Sequence, residues 1–64
     1  MKRNDLIRHL ESNACRFVRE GGNHSIYADR DGKRLSAVPR HREVNNFTVR
    51  NICKDLGIPV PKQR

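Results

Sequence analysis

Residues 15–38 read Cys15-Arg16-Phe17-Val18-Arg19-Glu20-Gly21-Gly22-Asn23-His24-Ser25-Ile26-Tyr27-Ala28-Asp29-Arg30-Asp31-Gly32-Lys33-Arg34-Leu35-Ser36-Ala37-Val38, and this stretch decides the fold. Cys15 to Glu20 is a short β-compatible run, and Gly21-Gly22-Asn23 closes it with a strong turn signal. His24 to Ala28 then supplies the returning strand of a hairpin. Asp29-Arg30-Asp31-Gly32 ends that strand, and the tight-turn pair Asp31-Gly32 leads into a third strand from Lys33 to Val38. Three short strands joined by tight turns make an antiparallel meander.

Upstream, Leu6, Ile7 and Leu10 recur at helical spacing, with Asn4 or Asp5 as an N-cap and Asn13 as a C-cap, which predicts a helix over 4–12. Downstream, Pro39 stops the strand pairing and Arg40-His41-Arg42-Glu43 forms a charged connector. Asn45 or Asn46 caps a second helix, in which Val49, Ile52, Cys53 and Leu56 fall on one face. Gly57 occupies the left-handed position that closes a helix, Ile58 follows it, and Pro59 and Pro61 prevent continuation. The order is therefore α-β-β-β-α. Each helix has a single apolar stripe, so both must cover the same sheet face, which gives a two-layer α+β domain with the other face free. A single domain is expected over 1–64, with its core at about 4–58 and a short tail over 59–64.

The 64 residues include 14 Lys or Arg against 7 Asp or Glu, a formal net charge of +7. Leu, Ile, Val and Phe together number 15, a little above the roughly 20% below which a strongly charged chain stays disordered. A core this thin leaves stability marginal unless a partner adds to it. The positive excess favours polyanions, either nucleic acid or an anionic membrane. Neither helix pairs a broad apolar face with a dense basic one, and no apolar run approaches a membrane span, so membrane association is disfavoured. The start Met1-Lys2-Arg3-Asn4-Asp5 leads into a charged segment rather than a signal peptide, which reads as cytoplasmic. Cys15 and Cys53 are too few and too far apart for a zinc site or a disulfide framework, and read as small buried hydrophobes.

The chemistry centres on His24, set just after a flexible turn among basic groups. Histidine both removes and donates protons near neutral pH. RNA cleavage without a metal needs a proton taken from the 2′-hydroxyl, charge stabilised on phosphorus and a proton given to the leaving oxygen; one histidine and several cations can supply these functions. The plainer reading of His24 is a hairpin histidine bonded to turn backbone. Strand parity places it with Ile26 and Ala28, and leaves open which sheet face that is. His9 reads as a solvated helix residue beside Asp5. His41 reads either as a phosphate contact or as a loop residue. Histidines at 9, 24 and 41 do not form a metal site, and no cofactor is expected.

Lys33, Arg34, Arg40 and Arg42 bracket the third strand, while Arg50 and Lys54 lie one turn apart on the second helix, an arrangement that costs stability unless an anion lies over it. These six are the candidate RNA-binding residues. Lys54 also complements the helix dipole, and any one of the six has a solvated reading as well. Phe17 and Phe47 are expected in the core, which leaves Tyr27 as the one aromatic platform and implies low base specificity.

Leu6-Ile7, Cys15-Arg16-Phe17, Gly22-Asn23-His24, Val38-Pro39-Arg40-His41 and Ile52-Cys53-Lys54-Asp55-Leu56-Gly57 together resemble the HicA (YcfA-like) toxins of type II toxin–antitoxin modules, over almost the whole chain. The resemblance implies a double-stranded-RNA-binding-domain-like fold and a translation-independent mRNA interferase activity, that is, a metal-independent endoribonuclease that arrests growth. It also implies His24 as the functional histidine and a HicB antitoxin as the neutralising partner, with DNA reached only through that antitoxin. Some members have Ser before the histidine or a second His after it; Asn23 and Ser25 stand there in this chain, so His24 is kept and a helper role for Ser25 gains no support. Two other readings stay open: a non-catalytic RNA-binding module that represses translation by occupancy, and an adaptor whose basic surface binds an acidic protein.

Overall fold

The computed structural model describes residues 1–62; Gln63 and Arg64, the end of the expected tail, lie outside the described residues. Helix α1 spans Arg3–Ser12, strands β1, β2 and β3 span Arg16–Gly21, His24–Ala28 and Leu35–Pro39, and helix α2 spans Asn46–Leu56. The strands form one antiparallel sheet in the order β1-β2-β3. The α+β order α-β-β-β-α is as the sequence implies.

Helix α1 begins one residue earlier than expected, and neither Asn4 nor Asp5 caps it. Lys2 is the N-cap and gives no side-chain bond. Instead the chain start is stitched to the connector: Arg3 N–H donates to the Arg42 carbonyl at 2.8 Å, Val44 N–H to the Met1 carbonyl at 2.8 Å, and Lys2 forms an isolated bridge with Glu43. Backbone pairing thus does the work usually given to a cap. At the other end Ala14 adopts φ 64°, and Cys15 N–H reaches the Leu10 carbonyl at 2.9 Å. This left-handed closure is of the Schellman kind, made here by an alanine.

The β1–β2 hairpin turns on Gly22-Asn23, with Gly21 paired to His24 and Gly22 at φ 63°. Only glycine takes that conformation without strain. Val18 is accommodated as a register shift between Phe17 and Arg19. Strand β3 starts two residues later than expected. One Asp29 carboxylate oxygen accepts from the amides of Lys33 and Arg34 at 2.9 and 3.1 Å, so those residues belong to the loop. The strand also runs on to Pro39, which pairs with His24 instead of ending the ladder at Val38. An edge strand tolerates a proline because one side of it owes no ladder hydrogen bond.

Helix α2 follows its sequence signals. Asn45 accepts from the Thr48 amide at 2.8 Å, and Gly57 closes the other end at φ 68° with Ile58 N–H on the Cys53 carbonyl at 2.9 Å. The core joins Leu6 and Leu10 of α1, Val49, Ile52, Cys53 and Leu56 of α2, and Cys15, Tyr27, Val38 and Val44. Ser25, Tyr27, Ser36 and Val38 are buried beneath the helices, so the alternate strand positions, His24 and Ile26 among them, face away from them. Both cysteines are free and buried, and burial pushes their thiols up, with Asp29 adding at Cys15 and Cys15 adding at Cys53. They pack as hydrophobes.

The aromatic residues are placed differently from expectation. Tyr27 is 7% exposed and sits in the core, so it offers no stacking platform, whereas Phe47 is 72% and Phe17 50% exposed. Phe47 precedes Val49 by two residues, about 200° round the helix from the buried stripe. Phe17 lies on the edge strand and meets Tyr27 edge-to-face, ring centroids 5.8 Å apart.

Candidate active site

His24 is exposed as the first residue of β2, between Gly21 on one side and Pro39 on the other. The open sheet face carries it. A cavity of about 320 Å³ joins it to His41 and Glu43 of the connector and to Asn45 and Thr48 at the start of α2. His41 thus shares this cavity with His24.

Behind His24 lies a bonded network for which the sequence gives no local signal. The Arg3 guanidinium donates from Nε to the Pro39 carbonyl at 2.9 Å and from Nη2 to Ser25 Oγ at 2.8 Å. Ser25 Oγ in turn donates to Glu20 Oε2 at 3.0 Å, and Glu20 Oε1 accepts from Arg40, at 2.9 Å from Nε and closely from Nη2. Arg3, Ser25, Glu20 and Arg40 thereby tie the start of α1 to all three strands at the end where His24 sits. The Arg40 hydrogen bond chiefly holds the Glu20 carboxyl below the ordinary carboxylate range; Ser25 adds to this, while partial desolvation opposes it. Glu20 therefore stays ionised through mildly acidic pH. The Ser25 hydroxyl points into this network and not towards the cavity of His24.

The six candidate cations fall into three groups. Arg40 and Arg42 stand at the His24 end, where they line a recess of about 500 Å³ with Lys2, Arg3 and Asn4. Lys2 and Arg3 escaped the sequence reading because the helix start that brings them to the connector is set by backbone pairing. Lys33 and Arg34 lie past the other end of β3, at least four strand residues or about 13 Å along the sheet. There Arg34 lines a second recess with Arg30, Asp29, Asp31 and Gly57, so two carboxylates offset the charge of two guanidinium groups. Arg50 and Lys54 are exposed on α2. His9 is away from the site and is not simply solvated: its Nε2 donates to the Pro59 carbonyl at 2.7 Å, and Asp5 pairs with Arg8 at 3.1 Å instead. The ring ties α1 to the segment after α2.

Among the described residues, no three His, Cys, Asp or Glu side chains come together as a metal cage, and no helix is long and apolar enough to cross a membrane. The arrangement offers two exposed imidazoles beside a cluster of cations, a set suited to proton transfer at a phosphodiester.

The family described as HicA toxin of bacterial toxin–antitoxin matches residues 3–58, from the first residue of α1 to the residue after the glycine that closes α2. The chain belongs to this family, and its role is that of the toxin of a toxin–antitoxin pair. No curated protein and no solved structure matches it.

Proposed function

We propose that this HicA-family chain is a metal-independent endoribonuclease, an mRNA interferase, with His24 as its catalytic residue. The observation that carries this reading is the placement of an exposed histidine on the free sheet face beside a recess of Lys2, Arg3, Arg40 and Arg42. His24 moves a proton at the ribose 2′-oxygen or at the leaving oxygen. Arg40 and Arg42 hold the scissile phosphate and stabilise charge gathering on phosphorus. Lys33, Arg50 and Lys54 contact the flanking phosphates, Arg34 contributes less because Asp29 and Asp31 share its recess, and the contact set is mostly backbone-directed, in keeping with low sequence preference. The substrate places the protein in the cytoplasm.

The same reading includes a HicB antitoxin that covers the toxin. Phe17, Val18, Leu35 and Phe47 are exposed large apolar side chains on a 64-residue chain carrying a net charge of +7. A partner that buries them adds the stability that a thin core lacks.

The test is incubation of the purified chain and its His24→Ala variant with a labelled single-stranded RNA in EDTA. Fragments from the wild type alone are expected. Intact RNA that is merely shifted in a native gel by both proteins would replace the nuclease with a module that represses by occupancy.

A further inference from the structure

We propose that His41 is a second catalytic residue, the proton-transfer counterpart of His24 across the cavity that the two share; this rests on the ribonuclease reading above. Cleavage of RNA by its own 2′-hydroxyl moves two protons, one off the attacking oxygen and one onto the leaving oxygen. A single imidazole cannot be deprotonated and protonated at the same instant. A second group that exchanges protons near neutral pH, within reach of the same phosphate, completes the step.

Among the described residues that line the cavity with His24, His41 alone meets that requirement. Pro39, Asn45 and Thr48 carry no group that titrates there. Glu43 is a carboxylate, its oxygen 3.6 Å from the chain's terminal ammonium, and repels phosphate. In the neighbouring recess, the guanidinium groups of Arg40 and Arg42 do not release protons. The ring nitrogens of His24 and His41 are hydrogen-bonded to no other group among the described residues, so no internal bond holds them from a ligand.

The backbone around His41 is held in place. Two residues before it, the Pro39 carbonyl accepts from Arg3 Nε at 2.9 Å; one residue after it, the Arg42 carbonyl accepts the Arg3 amide at 2.8 Å. One residue, Arg3, therefore anchors both sides of His41, and Pro39 is the strand partner of His24. The two imidazoles are carried on backbone segments fixed to each other, as a matched acid and base require.

In the reaction the neutral imidazole of the pair takes the 2′ proton as the P–O2′ bond forms, and the imidazolium gives its proton to the 5′-oxygen as the P–O5′ bond breaks. The products are a 2′,3′-cyclic phosphate and a 5′-hydroxyl end. No water, metal or redox partner is consumed.

The experiment compares wild type, His24→Gln and His41→Gln on one RNA oligonucleotide and on its analogue with sulfur at the 5′-bridging position, whose thiolate leaves without a proton. Both variants are expected to lose about 10²- to 10⁴-fold in kcat on the oxygen substrate, with KM little changed, and the bell-shaped pH profile becomes one-sided in each. The sulfur substrate restores one variant, the one lacking the acid, to within about tenfold of wild type, and leaves the other impaired. Wild-type cleavage with His41→Gln undiminished, or with neither variant rescued, would overturn this inference alone. Intact RNA with the wild type would overturn the ribonuclease reading and this one with it. Thermal melts of the variants show that loss of rate is not loss of fold, since both side chains are exposed.

Discussion

Phe47 and Leu10 are both large and apolar, yet one is 72% exposed and the other fully buried, so their loss should differ by an order of magnitude. Phe47→Ala is expected to change unfolding free energy by less than about 0.5 kcal/mol, as exposed positions do. Leu10→Ala, which opens a space in the core cluster, should cost about 2–5 kcal/mol. Urea titrations of both variants check this; a Phe47→Ala loss as large as that at Leu10 would mean that its ring packs in solution. The periodicity that places Val49, Ile52, Cys53 and Leu56 on one face also excludes Phe47 from it, but residue type outweighs angle when a core is drawn from hydrophobicity alone. Tyr27 misleads in the opposite sense. Its hydroxyl suggests exposure, whereas its alternation with Ser25 fixes it to the same buried face. His24 was legible as a chemical group, but its face was not, since both strand parities contain apolar residues. The helices settle it by covering Ser25, Tyr27, Ser36 and Val38.

At the level of elements, the closures of the two helices differ by one residue type. Both place a left-handed residue after the last turn, Gly57 at φ 68° after α2 and Ala14 at φ 64° after α1. An L-residue with a Cβ pays about 1–2 kcal/mol in that region, partly offset by the greater freedom glycine has in the unfolded chain. Ala14→Gly is therefore expected to stabilise the chain by about 0.5–1 kcal/mol, read as a rise in the denaturation midpoint at unchanged slope; a fall in midpoint would show that Ala14 is not held left-handed. The element order and the α2 caps follow from short-range rules, because glycine, proline and asparagine act on their own neighbours. The bounds of α1 and β3 do not. The pairing of the chain start with Arg42 and Val44 and the capture of the Lys33 and Arg34 amides by Asp29 decide them over distances that no local window spans.

Across the whole molecule the charge is uneven in a way that composition hides. Lys2, Arg3, Arg40 and Arg42 gather at the His24 end, while Arg34 and Arg30 at the far end share their recess with Asp29 and Asp31. The six cations chosen from sequence thus fall into three different surroundings, and the two best-placed additions come from a helix start that sequence could not bring near the connector. Arg40 is partly committed to Glu20, which leaves Arg42 and Lys2 freer to meet an RNA phosphate. Five phosphates neutralised on single-stranded RNA give a slope near −3.5 for log affinity against log salt, at about −0.7 for each. Arg42→Ala in the His24→Ala background, where RNA stays intact, should make that slope shallower by about 0.7 and weaken binding most at low salt. Arg34→Ala should alter both much less, because the neighbouring carboxylates already screen its charge from the polyanion. Fluorescence anisotropy with a labelled oligonucleotide between about 50 and 200 mM salt measures both variants side by side, and equal losses at Arg42 and Arg34 would mean that RNA follows the length of the sheet instead of concentrating its contacts at the His24 end.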